Sequence, residues 1–180
     1  MKKIIFILSL LLIQNVFADK KDSIAKNVTP YKAHKAAYLL FKCEIEVKYY
    51  KTEHADANIC IQAAQSLTNG DDMQPLSEKT RKKYIGESYF NAGIIYQYAE
   101  KKHKKALQSY LKAYNVGYCN YDDPCSVGRN IGYYYATGEG GNKMDKILAY
   151  KYFLESAKHG NEGSQRNLDF MCKNSPWVCK

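Results

Sequence analysis

A pattern of small and aromatic residues occurs twice along this chain at nearly the same spacing. Gly93 and Gly132 lie 39 residues apart, and each is followed three residues later by a tyrosine. Gly117 and Gly160 lie 43 residues apart and continue the two copies. Self-similarity at a period of about 20–50 residues is typical of repeat arrays, in which each repeat is one supersecondary unit. The pattern therefore predicts a short stack of similar units.

The apolar residues recur at helical spacing, and no convincing strand alternation is present. One stripe precedes the repeats and includes Ala36, Leu40, Phe41 and Val47. Further along, Ser77 is suited to capping a helix that runs from Glu78 to about Ala99. The second helix of each copy is followed by a glycine, the residue that most readily adopts the left-handed conformation at a helix end. The sequence predicts an all-α fold.

Two glycines inside predicted helices need a packing reason. A glycine in a helix interior costs about 1 kcal/mol relative to alanine. Close approach of a neighbouring helix would offset that cost at Gly93 and Gly132. We expect Ala106 and Ala149 to be the small residues that face them.

The second copy resembles the Sel-1-like repeat family, which is related to tetratricopeptide repeats. The match comprises Gly132-x-x-Tyr135-x-x-Gly138-x-Gly140, then Asp145, Ala149, Phe153, Ser156 and Gly160. The resemblance implies a short right-handed α-solenoid of antiparallel helix pairs. One domain, 31–180, would hold repeat-like units at about 31–70, 88–117 and 127–160, with a partial unit at 162–179.

The resemblance also implies a concave face that binds proteins or peptides. Carrying over its first-helix positions gives Phe90, Ile94, Gln97, Arg129, Tyr133, Arg166 and Phe170. Arginine and tyrosine are enriched where binding energy concentrates, and two arginines would suit an acidic partner. Arg129 and Arg166 are equally consistent with a solvated surface. Tyr96 and Tyr135 occupy repeat core positions, so interior packing is favoured for both.

The first residues have the pattern of an export signal. Residues 1–18 combine two lysines, a short apolar run and an exit with small residues, and cleavage is expected after Ala18. A membrane anchor is the alternative, but the run is shorter than the roughly 20 apolar residues that span a bilayer. Residues 19–30 are polar and are expected to form a flexible lead-in. A periplasmic or secreted location follows.

Six cysteines all lie after this signal, and an even count in an exported chain indicates disulfides. Cys43 and Cys60 are symmetric about Lys51-Thr52, the expected turn of a helical hairpin. The other four bracket two short proline-containing loops. We therefore predict three sequential pairs, Cys43–Cys60, Cys119–Cys125 and Cys172–Cys179. A zinc site is the alternative, but paired C-x-x-C spacing is lacking.

The charge and motifs limit the possible functions. The chain has 27 Lys+Arg against 18 Asp+Glu. The densest basic patch, at 101–105, suits a solvated helix end better than a nucleic-acid site. No catalytic motif, metal site or cofactor site emerges. We expect an exported protein-binding module, such as an immunity protein that neutralises a periplasmic toxin. The alternatives are an envelope enzyme acting on β-lactam or peptidoglycan and a structural adaptor.

Overall fold

The computed structural model describes residues 30–49, 55–70, 76–121 and 124–179, with side chains from residue 35 onward. Within these ranges the fold is all-α and has no β-strand, which confirms the predicted class. The predicted signal at 1–18, the lead-in up to residue 29 and the expected Lys51-Thr52 turn lie outside the described residues. The helices are α1 (Pro30–Lys48), α2 (Ala57–Thr68), α3 (Glu78–Tyr98), α4 (His103–Asn115), α5 (Ser126–Thr137), α6 (Lys146–Lys158) and α7 (Glu162–Asn174).

Local sequence sets the ends of these helices. The Ser77 hydroxyl accepts a hydrogen bond from the backbone N–H of Thr80 at 3.1 Å, so α3 begins where its cap predicted. Gly117 and Gly160 have φ values of +82° and +87° directly after α4 and α6. Only glycine adopts that left-handed backbone without a steric cost. Both glycines therefore end their helices as predicted.

Each helix packs against the next one along the chain, and α1 also contacts α3. The connection between α3 and α4 is only four residues, which makes them an antiparallel hairpin. The α5–α6 pair is joined by a longer loop and is packed in the same way. A short 3-10 turn at Tyr118–Asn120 contacts α3, α4 and α5.

The interior glycines of α3 and α5 are sites of close helix approach, but their partners differ from those predicted. A Cβ on Gly132 would lie 2.6 Å from the ring of Phe153, and a Cβ on Gly93 would overlap the ring of Tyr110. The facing groups are therefore aromatic rings. Ala106 and Ala149, which the sequence placed opposite the glycines, are buried one turn earlier in α4 and α6. Each ring fills the space above its glycine, which an alanine at the facing position would leave empty.

The cysteines form the three predicted sequential pairs, with Cα–Cα distances of 4.7 Å for Cys43–Cys60, 4.4 Å for Cys119–Cys125 and 5.6 Å for Cys172–Cys179. The first pair joins α1 to α2, the second closes the loop before α5, and the third ties the C-terminal turn Pro176–Val178 to α7. Closing the longest of these loops stabilises the fold by about 3 kcal/mol in the chain-entropy model.

Two expectations about buried residues need correction. Phe41, predicted on the buried stripe of α1, is exposed, because α1 turns Ala36, Leu39 and Cys43 toward the core instead. Tyr135 was expected inside, like Tyr96, but is only half-buried. Its ring stacks on that of Tyr152, with centroids 5.8 Å apart.

Candidate functional site

The three predicted concave-face residues on α3 are engaged in packing. Phe90, Ile94 and Gln97 are all half-buried. The Phe90 ring centroid lies 5.7 Å from that of Tyr110 and 5.6 Å from that of Tyr118. The Gln97 side-chain carbonyl accepts a hydrogen bond from the Tyr110 hydroxyl at 2.7 Å. This part of the predicted face offers little free surface, because its groups hold α4 and the turn after it.

The four predicted residues on α5 and α7 are exposed, and the side chain of Arg129 on α5 reaches Gly163 on α7. A Cβ at Gly163 would lie 2.8 Å from Nε of Arg129, so the guanidinium of Arg129 lies against the backbone of α7 at Gly163. Gly163, Arg166 and Phe170 follow one another at helical spacing on one side of α7. We call Arg129, Tyr133, Arg166 and Phe170 the α5–α7 face.

The two arginines of the α5–α7 face differ in whether they have a carboxylate partner. Arg166 Nη1 lies 3.5 Å from Glu162 Oε2, and both side chains are largely exposed, so this pair contributes little. Among the described residues, no carboxylate pairs with Arg129. The Tyr133 hydroxyl donates to Glu139 Oε1 at 2.8 Å, and this bond raises the pKa of Tyr133. The α5–α7 face therefore presents two arginines, each one helical turn from an exposed aromatic side chain.

The two aromatic side chains of the α5–α7 face are exposed to solvent. Phe170 is 71% exposed, the largest value among the exposed apolar side chains of the described residues. Tyr133 is also exposed, although its hydroxyl is already bonded to Glu139. Exposed aromatic groups beside an arginine are the residue types that carry most binding energy in protein interfaces.

A polar cluster that the sequence analysis did not predict lies beside Tyr133. His103 Nδ1 is 3.2 Å from the Tyr134 hydroxyl and 3.9 Å from Glu139 Oε2. Burial raises the pKa of the Tyr134 hydroxyl well above its usual range. A raised pKa disfavours the phenolate that a nucleophile or base would need. The cluster joins the start of α4 to the end of α5 and the loop that follows. His103 lies 31 residues before Tyr134, so no local spacing could have brought it to Tyr134 and Glu139.

Other kinds of site are also not found in the described part of the chain. No group of three or more His, Cys, Asp or Glu there could hold a metal ion. No described helix is long and apolar enough to cross a membrane. The six cysteines are all bonded in pairs, so none of them is available as a nucleophile.

A second surface was also missed by the sequence analysis. Tyr135, Met144, Ile147 and Trp177 line a cleft of about 410 Å³ between the loop after α5, the start of α6 and the C-terminal turn. The one available signal was the single tryptophan of the chain, held between Pro176 and Cys179. Its neighbours in the cleft are at least 30 residues earlier in the sequence, so their proximity is a tertiary property.

Comparisons with known proteins leave the family open. No protein family, no curated protein and no solved structure matches this chain. The function must therefore be argued from the α5–α7 face and its surroundings.

Proposed function

We propose that this chain is an exported, disulfide-braced helical-repeat protein of the Sel-1-like type that binds a protein partner through the α5–α7 face. The observation that carries the proposal is the position of Arg129, which lies against Gly163 of α7, the helix that also carries the exposed Arg166 and Phe170, and which has no carboxylate partner among the described residues. A partner with carboxylates and an apolar anchor would neutralise the arginines and cover the aromatic rings.

The disulfides support the export part of the proposal. Three structural disulfides are typical of chains that fold outside the reducing cytosol. The export signal and the right-handed solenoid rest on the sequence and the family resemblance. Binding without turnover is the function we propose, and neutralisation of a periplasmic toxin is its proposed use. That use rests on the resemblance alone, and a structural adaptor would use the same face.

The test is capture of a partner from an envelope extract by the oxidised chain. Arg129→Glu combined with Arg166→Glu reverses both charges of the face. Lys151→Glu combined with Lys158→Glu is the matched control, because both lysines are exposed on α6. We expect the face variant to bind the captured partner at least tenfold more weakly, which corresponds to about 1.4 kcal/mol. The control variant should bind normally, and both variants should keep the helical circular dichroism of the wild type.

Two outcomes contradict the proposal. Capture that survives the face variant means that binding uses another surface. Capture that is lost equally in the control variant means that only the net positive charge matters. If the partner is a toxin, the purified chain should also restore growth of cells that carry the toxin in the periplasm, and the face variant should fail to do so.

A further inference from the structure

Three exposed apolar side chains meet at the cleft behind α5. Met144 is 54%, Ile147 is 52% and Trp177 is 60% exposed, and together with Tyr135 they surround a volume of about 410 Å³. Volumes of 300–1,000 Å³ are typical of binding sites for small molecules and short peptide segments. Exposed apolar groups that cluster rather than scatter indicate a surface that another molecule covers.

The walls of this cleft are fixed by the protein itself. The Cys172–Cys179 disulfide closes the loop that carries Trp177. Lys146 Nζ donates to the Ser175 hydroxyl at 2.9 Å, which ties the start of α6 to the C-terminal turn. On the other side, the backbone N–H of Asp145 donates to the Tyr135 carbonyl at 2.8 Å. Because these bonds already order the cleft, ligand binding costs little conformational entropy of the protein.

The rim of the cleft is positively charged. Lys143 is exposed at the rim, and Lys146 is half-buried beside it. The only carboxylate among the lining residues belongs to Asp145, whose Oδ1 accepts from the backbone N–H of Leu148 at 2.9 Å and caps α6. Among the described residues that carboxylate forms no ion pair with either lysine, and Lys146 is bonded to Ser175, so Lys143 is the group left to attract an external anion.

We propose that this cleft binds a peptide segment in which an apolar side chain stands next to a carboxylate. The apolar side chain would lie between Met144, Ile147 and Trp177, and the carboxylate would pair with Lys143. The half-exposed walls suit a segment that passes across the cleft. The site is separate from the α5–α7 face, because Tyr133 and Tyr135 are two residues apart on α5 and lie on nearly opposite sides of it.

Trp177 provides a direct readout, because it is the only tryptophan in the chain. The full oxidised chain is titrated with acetyl-Glu-Phe-Leu-Glu-amide, with its Gln-Phe-Leu-Gln analogue and with its Lys-Phe-Leu-Lys analogue, and tryptophan emission is recorded. We expect the acidic peptide to shift the emission to shorter wavelength and to bind at least tenfold more tightly than either analogue. Salt at 0.5 M should remove most of that preference.

Three variants and one lipid control make the test decisive. Lys143→Glu should abolish the preference for the acidic peptide, Ile147→Ser should weaken all three peptides, and Lys158→Glu on the far end of α6 should change neither. The double variant at Arg129 and Arg166 should bind the acidic peptide normally, so failure of the proposed function leaves this test intact. The proposal is overturned if no peptide binds at 1 mM, if Lys143→Glu keeps the preference, or if laurate shifts the emission as strongly as the acidic peptide.

Discussion

In the hairpin of α3 and α4 the ring of Tyr110 covers Gly93, and in the hairpin of α5 and α6 the ring of Phe153 covers Gly132. In both contacts an aromatic ring covers a glycine, but the first ring carries a hydroxyl and the second does not. Tyr110 places its hydroxyl on Gln97, four residues after Gly93. The residue four after Gly132 is Ala136, which packs against the cluster that contains Phe153.

The difference follows a simple rule about buried polar groups. A fully buried hydroxyl needs a hydrogen-bond partner, and leaving it without one costs about 1–3 kcal/mol. Tyr110 therefore occurs with a glutamine, whereas Phe153 occurs with an alanine. The comparison teaches that the ring over the glycine keeps its size in both hairpins, while its polarity changes together with that of the residue four positions after the glycine.

The hairpins also differ in what covers their equivalent tyrosines. Tyr96 is buried, and its hydroxyl donates to Asn58 of α2 at 3.2 Å. Tyr135 lies at the matching position of α5 but is half-buried and lines the cleft. The same residue type is thus a core group in one hairpin and a wall of a candidate binding site in the other.

The largest expected effect comes from filling the space above the glycines. Gly93→Ala and Gly132→Ala should each lower the free energy of unfolding by about 2–3 kcal/mol, with the larger loss at Gly93, because the added Cβ would meet a rigid buried ring. Urea unfolding followed by circular dichroism measures both. Gln108→Ala, on the exposed side of α4, is the control and should be nearly neutral.

The glycine prediction has an internal check. Tyr110→Leu should rescue part of the loss in Gly93→Ala, because a smaller and more flexible side chain can move away from the new Cβ. A stability gain in either single alanine variant would mean that the helix propensity of alanine outweighs the contact, and the close-approach explanation would then be wrong.

An intermediate effect is expected where the two hairpins meet. The Tyr114 hydroxyl of α4 donates to the Glu155 carboxylate of α6, and the Tyr114 ring packs edge-on against Tyr152. A hydrogen bond to a charged group contributes about 1.5–3 kcal/mol. Tyr114→Phe should therefore lower the free energy of unfolding at pH 7 by about 1.5 kcal/mol.

The same residue predicts a pH dependence. Burial first, and then the bond to Glu155, raise the pKa of Tyr114 above its ordinary value of 10. The unfolded chain therefore loses this proton at a lower pH than the folded chain. The stabilisation is complete below pH 10 and declines as the pH rises above it. Between pH 10 and 12, wild-type stability should fall more steeply than that of Tyr114→Phe, and parallel curves would contradict the assignment.

The smallest effect tests the difference between the hairpins itself. Tyr110→Phe and Gln97→Ala should each cost about 1 kcal/mol, since each removes one partner of the same hydrogen bond. The double variant, which recreates the pairing of the second hairpin, should cost less than the sum of the two. Additive losses in this cycle would show that the hydroxyl and the amide do not act as a pair.

Much of the fold was accessible to sequence reasoning, and the candidate sites were accessible only in part. Capping at Ser77 and helix termination at Gly117 are decided by residues a few positions apart, so spacing alone predicts them. The burial of Phe90 and Gln97 depends on Tyr110, which lies on another helix. Their placement on an open face was drawn from the family resemblance, and that resemblance did not identify the ring they support.

The sequence by itself determined the helical class, the need of Gly93 and Gly132 for a close neighbour and the pairing of the cysteines, because each of these depends on local spacing or on short loops. The tertiary structure alone decided that rings rather than alanines cover Gly93 and Gly132, that Arg129 reaches Gly163 of α7, and that Trp177 meets Met144 and Ile147 in one cleft. Those outcomes depend on side chains from distant segments, and their distances are set by how the helices pack.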